Sequence, residues 1–168
     1  MPHELDREGF LVSDDKALLD VPAAHRFLSG TYWSPGIPLE TVRRGIEHSM
    51  AFGVYELGAG GDRAGRTQVG FGRVISDRAT FAYLSDVFVV ESHRGRGLSR
   101  MFMETVLSHP ELQGLRRFLL LTRDAHGLYS KFGFKPLNNP AAAMDRWDPE
   151  VYRRGGTTGE ACGECGVC

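Results

Sequence analysis

Cysteine is absent from everything before Cys162 in this 168-residue chain. That rules out a disulfide framework for the body and suits a reducing compartment. An excess of charge of one sign is also absent: the formal net charge is −1 and the pI is near 6.6. A surface built to coat nucleic acid carries a strong basic excess, so no nucleic-acid partner is expected. No apolar run approaches the roughly 18–20 residues that span a bilayer, so no membrane partner is expected either. Met1-Pro2-His3-Glu4 is acidic and polar where a secretory leader is basic and then apolar, and the cytoplasm is the expected location. No internal repeat is evident. The length fits one domain with a sizeable core, and 42% apolar with 24% charged residues is ordinary for a globular protein.

What is present centres on residues 85–107. Asp86-Val87-Phe88-Val89-Val90 is β-branched and aromatic, as strands prefer. A basic glycine turn follows, His93-Arg94-Gly95-Arg96-Gly97. Beyond it Leu98, Met101, Phe102, Thr105 (through its methyl) and Val106 mark one face of an amphipathic helix. A helix start leaves backbone N–H groups without partners and carries roughly half a positive charge. Glycines let a phosphate come close to such a start, and Arg94, Arg96 and Arg100 add full charges. The turn therefore reads either as a site for a phosphorylated ligand or as an ordinary connection with solvated arginines.

Elimination narrows the ligand. No lysine follows the glycines, so a Walker loop is excluded. A Rossmann turn would need glycine where Arg100 stands. The pattern Arg-x-x-Gly-x-[Gly/Ala] does fit, as Arg94-Gly95-Arg96-Gly97-Leu98-Ser99, with a small serine in the last place. Together with the strand ahead of it, this resembles the acetyl-CoA pyrophosphate loop of the GNAT acyltransferase superfamily. A second match follows a short apolar strand, Phe118-Leu119-Leu120-Leu121-Thr122: Ala125, Leu128 and Tyr129 stand as Ala-x-x-Leu-Tyr, and then come Gly133 and Phe134. The resemblance covers roughly residues 52–136. It implies an α+β fold, with a central mixed, mostly antiparallel sheet flanked by helices. It also implies acetyl-CoA as cosubstrate, with no metal required for catalysis, and a homodimer paired through the last strands.

The flanking chain supplies the rest of the expected fold. Residues 10–13 predict a strand. Asp20 caps and Pro22 opens a helix to about Leu28. Tyr32 and Trp33 sit in a loop with Pro35, Gly36 and Pro38; they either cap the core or, as the resemblance implies, edge the acceptor site. Pro38 opens a second helix to about Ser49, with Leu39, Val42 and Ile46 on one face. Arg43, Arg44, Glu40 and Glu47 on the other read as a solvated surface. Residues 50–57 and 68–77 predict strands around a flexible glycine-rich turn at residues 58–65. Residues 141–147 predict a final strand, although their alanines suit a helix as well. The domain is expected to span residues 1–154, followed by a flexible Gly/Cys-rich tail over 155–168. In that tail Cys162, Cys165 and Cys168 are spaced for soft-metal ligation. A closed structural zinc site wants four ligands, so an oxidisable tail is the other reading.

The chemistry implied by the resemblance is transfer of an acetyl group to a primary amine of a small molecule by direct attack in a ternary complex. Val87, Phe88 and Val89 would pair their backbone with the pantetheine amides. Arg94, Gly95, Arg96, Gly97, Leu98 and Ser99 would hold the pyrophosphate, and Thr122 would complete the cofactor site. Asp86 would be the base or the acceptor contact. Strand periodicity places it among Ala82, Leu84 and Phe88, where desolvation would make it a better base; the other reading is a carboxylate paired with a nearby arginine such as Arg73. Tyr129 would be the general acid, or else a ring packed under the cofactor. A free tyrosine near pKa 10 protonates a thiolate near 8.5 at an expense of only about 2 kcal/mol. Asp124 reads as the N-cap of the helix carrying Tyr129. Two alternatives stay open: a catalytically silent acyl-CoA-binding regulator, and a thiol or metal sensor using the cysteine tail.

Overall fold

The computed structural model describes residues 1–154. Six strands form one sheet in chain order: β1 (Glu4–Arg7), β2 (Phe10–Ser13), β3 (Met50–Gly58), β4 (Asp62–Ser76), β5 (Phe81–Val89) and β6 (Arg117–Leu120). All neighbours are antiparallel except β5 and β6. The parallel pair requires a crossover, supplied by the helix α3 (Leu98–Ser108). Helices α1 (Val21–Leu28) and α2 (Leu39–Glu47) cover the opposite face, and the short α4 (His126–Tyr129) follows β6. The expected mixed, mostly antiparallel α+β architecture is present.

Two apolar clusters sandwich the sheet. On one face Phe52, Val54, Val74, Ala82 and Leu84 meet Leu98, Met101, Phe102 and Val106 of α3. On the other, Ala51, Phe71 and Phe88 meet Ala24 and Leu28 of α1 and Val42 and Ile46 of α2. The helical faces read from the sequence are the buried ones. Asp20 caps α1 by accepting from the Ala23 N–H at 2.9 Å, with proline in the first turn. Gly72 lets α3 approach β4: a Cβ there would stand 2.4 Å from Cζ of Phe102.

Two expectations fail, and one strand was not foreseen. Residues 58–65 are not a loose turn. Only Ala59–Gly61 turns, and Asp62 then pins the start of β4 by accepting from the N–H groups of Ala64 and Gly65. Residues 141–147 form no strand; a short 3-10 turn, Pro140–Ala142, opens an exposed stretch without apolar alternation to bury. The strand β1 was not foreseen, although Glu8 and Gly9, both at positive φ, form the tight turn that joins it to β2. The calls on Cys162, Cys165 and Cys168 lie outside the described residues.

Tyr55 carries a buried hydroxyl without a hydrogen-bond partner among the described residues. Its burial pushes ionisation well above the ordinary tyrosine value. The folded chain therefore keeps a proton that the unfolded chain releases above about pH 10. Stability linked to this group is complete below that pH and drains away above it. Tyr55→Phe should raise stability by about 1 kcal/mol at pH 7, with a growing advantage in urea melts above pH 10. A less stable variant would contradict this.

Candidate active site

β5 and β6 pair from Phe81 opposite Arg117 to Leu84 opposite Leu120, and there the pairing ends. Beyond it the strands separate around a cleft of about 850 Å³. Residues 85–89 line one wall and residues 120–125, Leu128 and Tyr129 the other; Arg94 and Ser99 also line it, as do Tyr32, Trp33 and Trp147. One cavity thus gathers Asp86, Val87, Phe88, Val89, Arg94, Ser99, Thr122, Tyr129, Tyr32 and Trp33, residues spread over four separate segments of the chain.

The glycine turn opens α3 as expected. Gly95 and Gly97 take φ of 77° and 79°, and beyond their chain neighbours no atom of the described residues lies within 4 Å of where their Cβ would be. Backbone conformation rather than space selects glycine here. Gly97 caps α3 without a side-chain hydrogen bond, so no side chain competes for the first-turn N–H groups. Arg94 borders the cleft, and its Nε donates to the Val89 carbonyl at 3.3 Å. Arg96 points elsewhere: it donates to Glu56 at 3.2 Å and lies 4.6 Å over the Phe10 ring. The Leu98 side chain is buried in the core beneath α3, leaving only its backbone for a ligand. Arg100 pairs with Glu104 at 2.8 Å.

Asp86 departs most from the sequence expectation. Phe71 stands opposite Phe88 but Arg73 opposite Ser85, so β5 carries one extra residue against Gly72. Asp86 sits in this bulge with φ of 59°, a left-handed conformation that Asp tolerates better than most residues. The bulge breaks the two-residue period. Ala82 and Leu84 face α3, whereas Phe88 faces α1 and α2. Asp86 is therefore not set among Ala82 and Leu84. Its side chain, 9% exposed, accepts from Arg73 Nε at 2.5 Å, which is the arginine-paired alternative.

Tyr129 is 8% exposed and meets Phe134 edge-on at 6.0 Å. Burial, then Tyr32 and Asp124, push its ionisation above the ordinary tyrosine value, so at neutral pH it stays a proton donor. Its short helix is tied down by Thr122, not Asp124: Thr122 Oγ1 accepts from the Ala125 N–H at 3.0 Å. Tyr32 meets Trp33 edge-on at 4.9 Å, and the Arg123 guanidinium lies 3.8 Å over the Tyr32 ring. Arg123 and Trp147 were not anticipated. The position of Arg123 just beyond the apolar run at residues 118–122, beside the Ala-x-x-Leu-Tyr match, could have pointed to it. Trp147 gave no signal beyond being a tryptophan in a segment with no apolar pattern.

The Acetyltransferase (GNAT) domain family matches residues 52–136. This chain belongs to the GNAT acetyltransferase family. A candidate acetyltransferase of Gibberella zeae is 34% identical over 77% of this chain and 81% of its own. The crystal structure of a GNAT-family protein from Xanthomonas campestris pv. campestris is 50% identical, covers 88% of this chain and 99% of its own, and superposes with a TM-score of 0.78. A Mycobacterium tuberculosis structure, solved in complex with CoA, shares the fold at 21% identity and a TM-score of 0.55, over 75% of this chain and 72% of its own. The protein is an acyltransferase, and the GNAT family uses acetyl-CoA.

The Asp86–Arg73 pair should be worth more than a surface contact, because both side chains are largely buried. A double-mutant cycle with Asp86→Asn and Arg73→Gln, read by urea unfolding, should give a coupling energy of about 2 kcal/mol. Coupling below about 0.5 kcal/mol, the range of exposed pairs, would contradict it.

Proposed function

We propose that this GNAT enzyme transfers the acetyl group of acetyl-CoA to a primary amine of a small molecule, by direct attack in a ternary complex. The observation that carries the reading is that Arg94 and Ser99, at the two ends of the glycine turn, residues 85–89, which have left β6, and Tyr129 all line one cleft. The residues present suit the cosubstrate. Partnerless N–H groups at the start of α3 suit the pyrophosphate, with Arg94 beside them. The free edge of β5 suits a chain of amides that can pair like an added strand. The CoA complex of the Mycobacterium tuberculosis protein of the same fold agrees with this.

In this reading the acyl carbon gains a bond to the amine nitrogen and loses its bond to sulfur. The amine must arrive neutral, the carbonyl oxygen must be met as it gains charge, and the departing sulfur must receive a proton. The Val89 backbone N–H polarises that oxygen. Tyr129 gives its phenolic proton to the sulfur. Asp86, with Oδ2 engaged by Arg73, holds the amine through its remaining acceptor capacity, and the proton that the nitrogen sheds passes to water. Tyr32 and Trp33 border the acceptor.

Tyr129→Phe should lower kcat about 10²–10⁴-fold in a thiol-release assay on a panel of primary amines, while the apparent KM for acetyl-CoA changes less than about threefold. The raised ionisation of Tyr129 also has a sign: the donor is lost only above the ordinary tyrosine range, so its ionisation should produce no fall in kcat below about pH 10. Retention of full kcat in the variant would assign Tyr129 to packing alone. Cosubstrate binding with no turnover on any amine would favour the silent regulator.

A further inference from the structure

A second cavity, of about 310 Å³, lies under α2 on the face of the sheet opposite α3. Asp86 borders both this pocket and the large cleft. The pocket's apolar wall includes Leu28, Val42, Ile46 and Phe71, and Tyr152 closes it from the far end of the described chain. Its polar wall carries two guanidiniums, Arg44 and Arg73, with His48 and Thr41 beside them. Asp86 is the one carboxylate that lines it among the described residues.

Of the two guanidiniums only Arg73 is paired among the described residues, and through Nε alone. Arg73 gives Nε to Asp86, and its terminal N–H groups have no other acceptor among the described residues. Arg44 and His48 form no ion pair among the described residues, although Arg44 stands one turn from Glu40 on α2. A guanidinium presents a planar fork of donors that matches a carboxylate or a phosphate. Arg44 is exposed, as its reading on a solvated helix face predicts, and it also borders a cavity that a second guanidinium, Arg73, lines.

We propose that the acceptor is an amphoteric small molecule: its amine meets Asp86, and its anionic group, carboxylate or phosphate, sits under α2 against Arg44, His48 and Arg73. This rests on the acetyl-transfer reading above. One residue, Asp86, then separates two subsites of opposite preference. The chemistry at the nitrogen is unchanged: the C–N bond forms, the C–S bond breaks, the nitrogen's proton passes to water and Tyr129 protonates the sulfur.

The test measures kcat/KM by thiol release from acetyl-CoA with matched acceptors. Glycine is compared with glycinamide, phenylalanine with phenylalaninamide, and phosphoethanolamine with ethanolamine. An amino amide has the more readily deprotonated amine, so an acid outruns its amide only if its anion is recognised. The wild type should prefer one anionic series, carboxylate or phosphate, over its neutral partner by about 10- to 100-fold. Arg44 is exposed, so its replacement leaves the core untouched. Arg44→Gln should reduce that ratio at least about fivefold, mainly through KM, and Arg44→Glu should reverse it. Equal turnover of neutral and anionic amines, or a ratio unaffected by both Arg44 variants, overturns the proposal and leaves acetyl transfer standing. No thiol release with any amine, charged or neutral, overturns the reading beneath it as well.

Discussion

A single extra residue in β5 governs the working part of this molecule. Asp86 bulges against Gly72, and a bulge bends its strand and sharpens its twist. Pairing with β6 ends two residues earlier, at Leu84. The walls of the cleft are the two strands after they part, so the cavity exists because the parallel pair is short. The same bulge transfers Phe88 to the α1/α2 face, where it stacks on Phe27 at 3.8 Å, and turns Asp86 onto Arg73. Left-handed backbone at a non-glycine residue is disfavoured by roughly 1–3 kcal/mol, and the ion pair and the surrounding apolar contacts hold it there.

The core serves this arrangement by fixing α3. Leu98, Met101, Phe102 and Val106 bury one helical face against the sheet, and Gly72 lets Phe102 lie close to β4. That packing aims the start of α3 at the cleft, and the conformations of Gly95 and Gly97 deliver the chain to it. Across the cleft, Thr122 anchors the turn that presents Tyr129. The anion-accepting end and the proton-donating end therefore rest on separate elements, held apart by the diverging strands. Residues 85–89 run between them.

Much of this was legible in the chain. The faces of α1, α2 and α3, the Asp20 cap and the glycine turn follow from periodicity and local backbone chemistry, which act over a few residues. Most of the residues assigned to the site do line one cleft. What was not legible depends on contacts distant in sequence. The bulge at Asp86 is a matter of register between β4 and β5, and strict alternation along β5 placed Asp86 on the wrong face. Arg96 and Arg94 look equivalent in the turn, yet Glu56 and Phe10, contributed by β3 and β2, draw only Arg96 away. Residues 141–147 lack the alternation that a half-buried strand needs, and their alanines carried too little apolar surface to hold one.

The central claim is that the diverging strands and the glycine turn together bind acetyl-CoA. Calorimetric titration of acetyl-CoA into the full chain and into Ser99→Glu tests it most directly. Ser99 lies in the first turn of α3 and borders the cleft; a carboxylate there suits the helix dipole and folding but occupies and repels at the phosphate position. The account predicts micromolar binding by the wild type, and at least about 100-fold weaker binding by a variant that melts no lower, as for loss of contacts to a charged group. Equal binding by both proteins, or none by a folded wild type, would contradict it.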